Sequence, residues 1–305
     1  MPMLEKTIPV SSIDLSENLY KISKNFLRDE LAVSVKKNGI LRPPVVFPFD
    51  GGFRILTGYN RIEAARKASL EEIPVCICET PAADILAREA LLKSFNDEIG
   101  PAGKLRLLSL LKNNFFTDED FIVKICHIGL GIPECVFDKA WLDKFEKLKQ
   151  PVKDYFDNKD VPFNLIDTYM SLPPHLEQGL ARQLEFFPLR INIFRKIVPM
   201  LLDIIRRSEN WAFPDVTISG RQGEQELLKI IFEERYPEYS EIKKRSDEII
   251  SALSFAGAEI DFPEFFEGGS LSVKITLGKR DGAKTLVDRA GRLDKELLQK
   301  LLDML

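Results

Sequence analysis

The stretch "LTGYNRI" (56–62) holds the residue types best suited to gripping an anion: an apolar run passes through Gly58 into a helical pattern that carries Arg61 near its start. A tight strand-to-helix turn leaves backbone N–H groups pointing outward, and the helix dipole makes that end attractive to negative charge. Gly58 lets a ligand approach the backbone closely, and an arginine one turn along can take phosphate or carboxylate oxygens through two parallel bonds. The chemistry these residues spell is phosphate binding. They also admit a structural reading, in which Asn60 and Glu63 form a capping-box-like pair that simply starts the helix. On the residues alone both readings stay open.

Other reactive groups are few. With His127 and His175 as the only histidines, His-based triads have little support, and no GxSxG, HExxH or Walker pattern occurs. The cysteines at 76, 78, 126 and 135 include no CxxC pair. Cys126 precedes His127, yet neither the spacing nor the ligand count makes a zinc site, so no metal is predicted. Cys76 and Cys78 alternate with Val75 and Ile77 and so share one face of a strand. All four cysteines are expected to be buried, reduced thiols.

Forty-seven acidic residues against 43 basic ones give a net charge of −4, which does not favour a dedicated nucleic-acid binder. At 45% hydrophobic and 30% charged, 305 residues make ordinary globular material, enough for two or three domains. No run of 18 apolar residues and no signal-peptide pattern occurs, so a cytoplasmic protein without membrane association is expected.

The elements that must position Gly58 and Arg61 follow from periodicity. A short strand is expected at 7–10, then a helix over 25–39 from Leu27, Leu31 and Val35, with Gly39 as its C-cap. "PPVVFPF" and "GFRIL" flank Asp50-Gly51-Gly52, a hairpin signal. A helix from about 59 and a strand over 73–78 complete a small mixed α/β domain, residues 1–80. From Pro81 to about Arg207 the period is helical and punctuated by prolines, which predicts an all-α middle domain, 81–207. Residues 208–305 read as a small α+β region. It has helices over 221–234 and 238–255, a hairpin turned by "EGG" (267–269) into a strand with Leu271, Val273, Ile275 and Leu277 inward, and an amphipathic helix in "RLDKELLQKLLDML". The fold class is α+β.

In order and spacing, residues 7–205 resemble the ParB family of partition proteins. "ELAVSVKKNGILRPPVVF" looks like the family's helix followed by its Gly-x-x-Gln-Pro approach to a strand. "RILTGYNRIEAARKASLEEIPVCI" is similar to the segment with the Gly-Glu-Arg-Arg phosphate motif, and "ALLKSFNDEIGPAGKLRLLSLL" to that with Glu-Asn-x-Gln-Arg and Asn-Pro. "FTDEDFIVKICHIGLGIPECVFDKAWLDKFEKL" falls where the family's helix-turn-helix lies. The resemblance implies an N-terminal domain that binds and hydrolyses CTP with magnesium, a helix-turn-helix for a centromere-like DNA site, and a C-terminal part that dimerises.

Carried over residue by residue, it implies a nucleotide-binding set of Arg42, Thr57, Gly58, Tyr59, Asn60, Arg61, Lys93 and Ser94. Arg42 stands where the family has a glutamine, and Asn60 replaces the first motif arginine. Lys93 replaces the glutamate that helps hold magnesium, Ser94 replaces an asparagine and Asp97 an arginine. Loss of a hard oxygen ligand predicts nucleotide binding without efficient hydrolysis. No catalytic residue is assigned. The alternatives for Lys93 are direct contact with the phosphates or exposure to solvent.

The helix-turn-helix also departs from the family. A recognition helix starting at Ile132, Pro133, Glu134, Cys135 and Val136, then Asp138 and Asp143, would set carboxylates against phosphates, with Lys139 and Lys144 as the offsetting DNA contacts. Trp141 and Phe145, at i and i+4, read as core. Two function classes follow: a CTP-binding, DNA-associated homodimer with a partner such as a partition ATPase, or a scaffold of the same fold acting through protein partners. A small-molecule enzyme on a similar N-terminal fold, such as a serine kinase or sulfiredoxin, lacks the Gly-Cys-His-Arg signature.

Overall fold

Asp50 and Gly51 both take positive φ, 47° and 77°, which sets a two-residue turn between β3 (Val45–Phe49) and β4 (Gly52–Thr57). Their antiparallel register pairs Phe49 with Gly52 and Val45 with Thr57. A mirror-image turn of this kind matches the twist of the strands it joins, which is why Asp-Gly is a strong hairpin signal.

The computed structural model describes residues 4–24, 29–215, 220–254, 258–263, 270–279 and 281–304. They form an α+β protein of two compact units: residues 1–202 with 210–224, and residues 203–209 with 225–305.

In the first unit, β1 (Leu4–Pro9), β2 (Ile13–Asp14), α1 (Asp29–Asn38), α2 (Tyr59–Lys67) and β5 (Glu72–Ile77) join the hairpin. The sheet order is β1-β5-β3-β4-β2, with β1–β5 and β3–β4 antiparallel and β3–β5 and β2–β4 parallel. Side chains alternate between the two faces, as strand geometry requires. Val46, Ile55, Ile73 and Val75 pack with Val35, Ile62 and Ala65 of α1 and α2, while Val45, Phe47, Leu56 and Cys78 form a second cluster on the other face, joined by Cys76. Cys76 and Cys78 therefore share a face, as the alternation predicts. Helix α1 ends at Gly39, whose φ of +70° closes the last turn with a bond from its N–H to the Val35 carbonyl. Leu27 lies outside the described residues.

Eight helices follow, from α3 (Ala83–Phe95) and α4 (Pro101–Asn113) to α7 (Gln150–Asn158), α8 (Phe163–Met170), α9 (Pro174–Phe186) and α10 (Ile191–Arg207). A fully buried knot of Phe156, Tyr169 and Phe194 holds α7, α8 and α10 together. Between α4 and α7 the expected recognition helix takes a different form. α5 (Glu119–Ile122) runs on as a π-helical stretch, Val123–Gly129, and Glu134–Phe137 is a separate 3-10 turn. Asp138 accepts the Trp141 N–H at 2.9 Å and caps α6 (Lys139–Glu146), so that helix begins only at Lys139. Phe145 is fully buried and stacks on Trp141, which is only half-buried and donates its indole N–H to Asp167 at 2.7 Å.

The second unit holds most of α11 (Gly220–Arg235), then α12 (Pro237–Leu253), the antiparallel pair β6 (Ala258–Asp261) and β7 (Ser272–Ile275), α13 (Ala283–Gly291) and α14 (Lys295–Leu302). Its core is Leu253, Ile260 and Leu301, with Leu271, Leu297 and Leu298 packed against them. Two expectations are corrected here. The terminal helix is shorter, because Asp294 accepts the Glu296 and Leu297 N–H groups and caps α14, leaving Leu293 before it. β7 does not bury its apolar face: Val273 stays exposed. The expected turn at 267–269 and Leu305 lie outside the described residues.

Candidate functional site

Gly58 is the pivot of the site. It ends β4 and precedes α2 with φ +95°, in the left-handed region that favours glycine. Its carbonyl accepts the first helical bonds, from Arg61 N at 3.0 Å and Ile62 N at 3.1 Å. No side chain caps α2. The Asn60–Glu63 capping pair is therefore not what starts this helix, because both residues already lie within it.

Arg61, one turn in, is largely buried and reaches two other elements. Its Nη1 donates to the carbonyls of Arg42 at 2.5 Å and Pro43 at 3.1 Å, fixing the loop that leads into β3. Its Nη2 lies 3.3 Å from Glu89 Oε1, on α3. Burial pushes the guanidinium below its usual range, and the Glu89 carboxylate opposes that shift. Arg42 Nη2 meets the other Glu89 oxygen at 2.6 Å. Lys93, one turn after Glu89 on α3, sits 3.6 Å from Glu89 and 3.4 Å from Glu98. Its side chain is only 12% exposed, so it faces inward rather than into solvent.

Three cations from three parts of the chain thus converge on one carboxylate whose side chain is 6% exposed. They line a cavity of about 750 Å³ together with Gly58 and Asn60. Lys24, also on its wall, bonds Asp160 at 2.9 Å and lies 3.5 Å from Asp97. Such a cleft can take an anion between guanidinium and ammonium groups, with the open start of α2 alongside.

The structure brings Arg42, Gly58, Asn60, Arg61 and Lys93 of the expected set to one cavity. Three others sit elsewhere. Thr57 is buried at the end of β4. Tyr59 is a core residue whose hydroxyl donates to the Ile55 carbonyl at 2.9 Å. Ser94 lies in the last turn of α3, where its carbonyl accepts the Asp97 N–H, and is not among the residues lining the cavity. Sequence reasoning passed over Glu89, Lys24, Glu98 and Asn158. Glu89 did leave a signal: Glu four residues before Lys on a helix is the favourable order for a pair on one face.

Of the expected DNA contacts, Lys139 is exposed at the first turn of α6, whereas Lys144 donates to the Met170 carbonyl at the end of α8. That use of lysine recurs. Lys104 donates to Leu130 O at 3.0 Å, Lys112 to Phe137 O at 2.6 Å and Lys153 to Glu146 O at 2.8 Å, each closing the end of a helical segment. Burial holds the Lys104 and Lys153 ammonium groups below the usual lysine range. Cys135 is exposed, contrary to expectation, because Val136 and Phe137 are the residues its 3-10 turn buries. Among the described residues no three His, Cys, Asp or Glu side chains gather as a metal site, and no helix is long and apolar enough to cross a membrane.

A mixed sheet with an anion-suited cleft at a strand–glycine–helix turn defines the class of module. Residues 5–93 match the ParB N-terminal domain, and the chain is ParB-like. It is similar to the probable chromosome-partitioning protein ParB of Pseudomonas putida, 28% identical over 88 residues, which are 28% of this chain and 30% of the relative. It is also similar to stage 0 sporulation protein J of Bacillus subtilis, 32% identical over 128 residues, 40% of this chain and 45% of the relative. The match thus spans less than half the length of either. A crystal structure of C-terminally truncated ParB from Caulobacter crescentus, complexed with CTP-gamma-S, is similar at 17% identity and TM-score 0.27 over 60% of this chain and 99% of that one.

Proposed function

We propose that this chain is a nucleotide-binding, ParB-like protein that takes CTP or a related nucleotide in the Glu89 cleft and acts in DNA partition or DNA-associated regulation as a clamp-like dimer. The observation that carries this is the convergence of Arg42, Arg61 and Lys93 beside the Gly58–Asn60 turn. Residues 1–80 would hold the nucleotide together with Glu89 and Lys93 of α3, 81–207 would carry the degenerate helix-turn-helix and 208–305 the dimer contacts, with a partition ATPase as partner. Lys93 supplies a positive charge where the resemblance sets a metal-holding glutamate, so hydrolysis is slow and magnesium is not held by that position.

The test is a nucleotide panel read by thermal shift, with EDTA and with magnesium. A shift selective for CTP supports the reading; no shift with any nucleotide refutes it. A second reading has its own support: four lysines of α4, α6 and α7 (Lys104, Lys112, Lys144 and Lys153) are engaged with backbone carbonyls, which favours a scaffold acting through protein partners. A salt-dependent gel shift separates the two, because the scaffold binds little DNA.

A further inference from the structure

Each cation of the cleft already has an anion. Lys24 holds Asp160, while Arg42, Arg61 and Lys93 share Glu89. Glu89 differs from the other carboxylates on the wall, Glu30, Asp97 and Glu98, which all lie exposed. It is buried in the middle of α3, and its two oxygens reach three cations that come from the loop before β3, from α2 and from α3 itself. A buried carboxylate bonded at 2.6 Å to a guanidinium makes the same charge-assisted contacts that a phosphate oxygen would make.

We propose that Glu89 holds the anion position of the cleft, so that a phosphate binds by exchange: its oxygens take Arg42, Arg61 and Lys93 as Glu89 gives them up. This rests on the nucleotide reading of the cleft and adds what sets its strength. A released but still buried Glu89 lies against the incoming phosphate, and two anions in a low-dielectric site repel. A divalent cation arriving with the phosphate relieves that repulsion. The cleft therefore discriminates against bare polyphosphate and favours its magnesium complex, through a carboxylate one turn before the Lys93 position.

The experiment is calorimetry on the full chain, comparing parent, Glu89→Gln and Glu89→Asp with CTP and with inorganic tripolyphosphate, each in EDTA and in magnesium. Glu89→Gln removes the competing charge at nearly constant shape, and should tighten tripolyphosphate in EDTA by on the order of tenfold. Glu89→Asp, which draws the carboxylate back, should tighten it less, and it decides alone if the glutamine variant does not fold. The gain from magnesium should shrink in both. Unchanged or weaker tripolyphosphate binding in the variants overturns the exchange and leaves Glu89 as a positioning residue for the arginines. Tightened tripolyphosphate with CTP ignored throughout upholds the exchange and refutes the nucleotide reading. CTP bound equally by all three proteins does the reverse, and indifference to both probes refutes both.

Discussion

Gly58 and Pro44 approach so closely that a Cβ on the glycine would lie 2.6 Å from the proline Cβ and 3.0 Å from its Cα. The contact brings the loop that carries Arg42 onto the start of the helix that carries Arg61. Pro44 cannot retreat, since its carbonyl accepts the Cys76 N–H of β5 at 2.8 Å. Gly58→Ala therefore combines a left-handed backbone with a clash against a fixed ring, and should cost about 2–4 kcal/mol in denaturant unfolding. Gly39→Ala, also at positive φ but with open space around it, is the control and should cost about 1–2 kcal/mol. Equal losses at the two glycines would mean that the approach to Pro44 does not constrain the turn.

How much of this is legible in the sequence differs between the sheet and the cleft. The Asp50-Gly51 turn, the alternation in β3, β4 and β5, and the positions of α2, α11 and α12 are local patterns, and each appears within a residue or two of expectation. Gly58 and Arg61 are readable for the same reason. Glu89 does not stand out, because its meaning comes from Arg42 and Arg61, far away in sequence and joined to it only by the fold. The region of α5 and α6 departs from expectation because Pro133 resembles a helix start, whereas the Asp138 cap lies just beyond it. In the tail, a continuous leucine pattern conceals the Asp294 cap.

The lysines of the helical region give the next prediction. Lys144 is engaged with the Met170 carbonyl at the end of α8, while Lys139 is exposed and can meet a phosphate. DNA binding should be weak, steep in salt and nearly indifferent to sequence. Lys139→Ala should weaken it uniformly across sequences without moving the unfolding midpoint. Lys144→Ala should instead lower stability by about 1–3 kcal/mol, because the Met170 carbonyl loses a charged donor. Recovery of one strongly enriched motif from a random-DNA selection would overturn the first part, and an unchanged midpoint for Lys144→Ala the second.

Dimerisation is expected through the second unit, on its exposed apolar side chains and not on the leucines of its core. Leu301, with Leu297 and Leu298, is packed on Leu253 and Ile260, so deleting 290–305 should unfold that unit rather than merely separate two copies. Among the described residues of this unit, the exposed large apolar side chains are Tyr236, Ile242, Val273, Leu277, Leu286, Val287 and Leu302. Val287, at 68% exposure on α13, is the most open of them. Val287→Glu should convert a dimer to a monomer in light scattering with the unfolding midpoint held. A parent that is monomeric at tens of micromolar, an order-of-magnitude range for weak association, would refute the interface.

The last prediction concerns Asp157, which closes the N-terminus of α4 from α7. Its Oδ1 accepts the N–H groups of Ala102 at 2.7 Å and Gly103 at 3.2 Å. It comes this close because Gly100 has no Cβ: one there would lie 2.4 Å from that same oxygen. Burial pushes the Asp157 carboxyl up to about 6 from an ordinary 3.8, against the two amide bonds and the nearby Lys24, which pull it down. Because the folded value lies above the unfolded one, the native state binds more protons between those pH values. The contribution of this group to stability is thus complete below about pH 4 and is lost as pH rises through 6. Asp157→Asn keeps the oxygen acceptor for both amides and removes the charge. Relative to the parent, the variant should gain roughly 1–3 kcal/mol in unfolding free energy between pH 4 and pH 7, since each tenfold difference in proton affinity between the folded and unfolded states is worth about 1.4 kcal/mol. Comparing the two proteins cancels the carboxylates they share, including Asp14, which its bonds to Ser16 hold below the usual carboxylate range. Parallel stability curves for parent and variant across that range would show that Asp157 titrates as an ordinary carboxylate and that the helix start tolerates its charge.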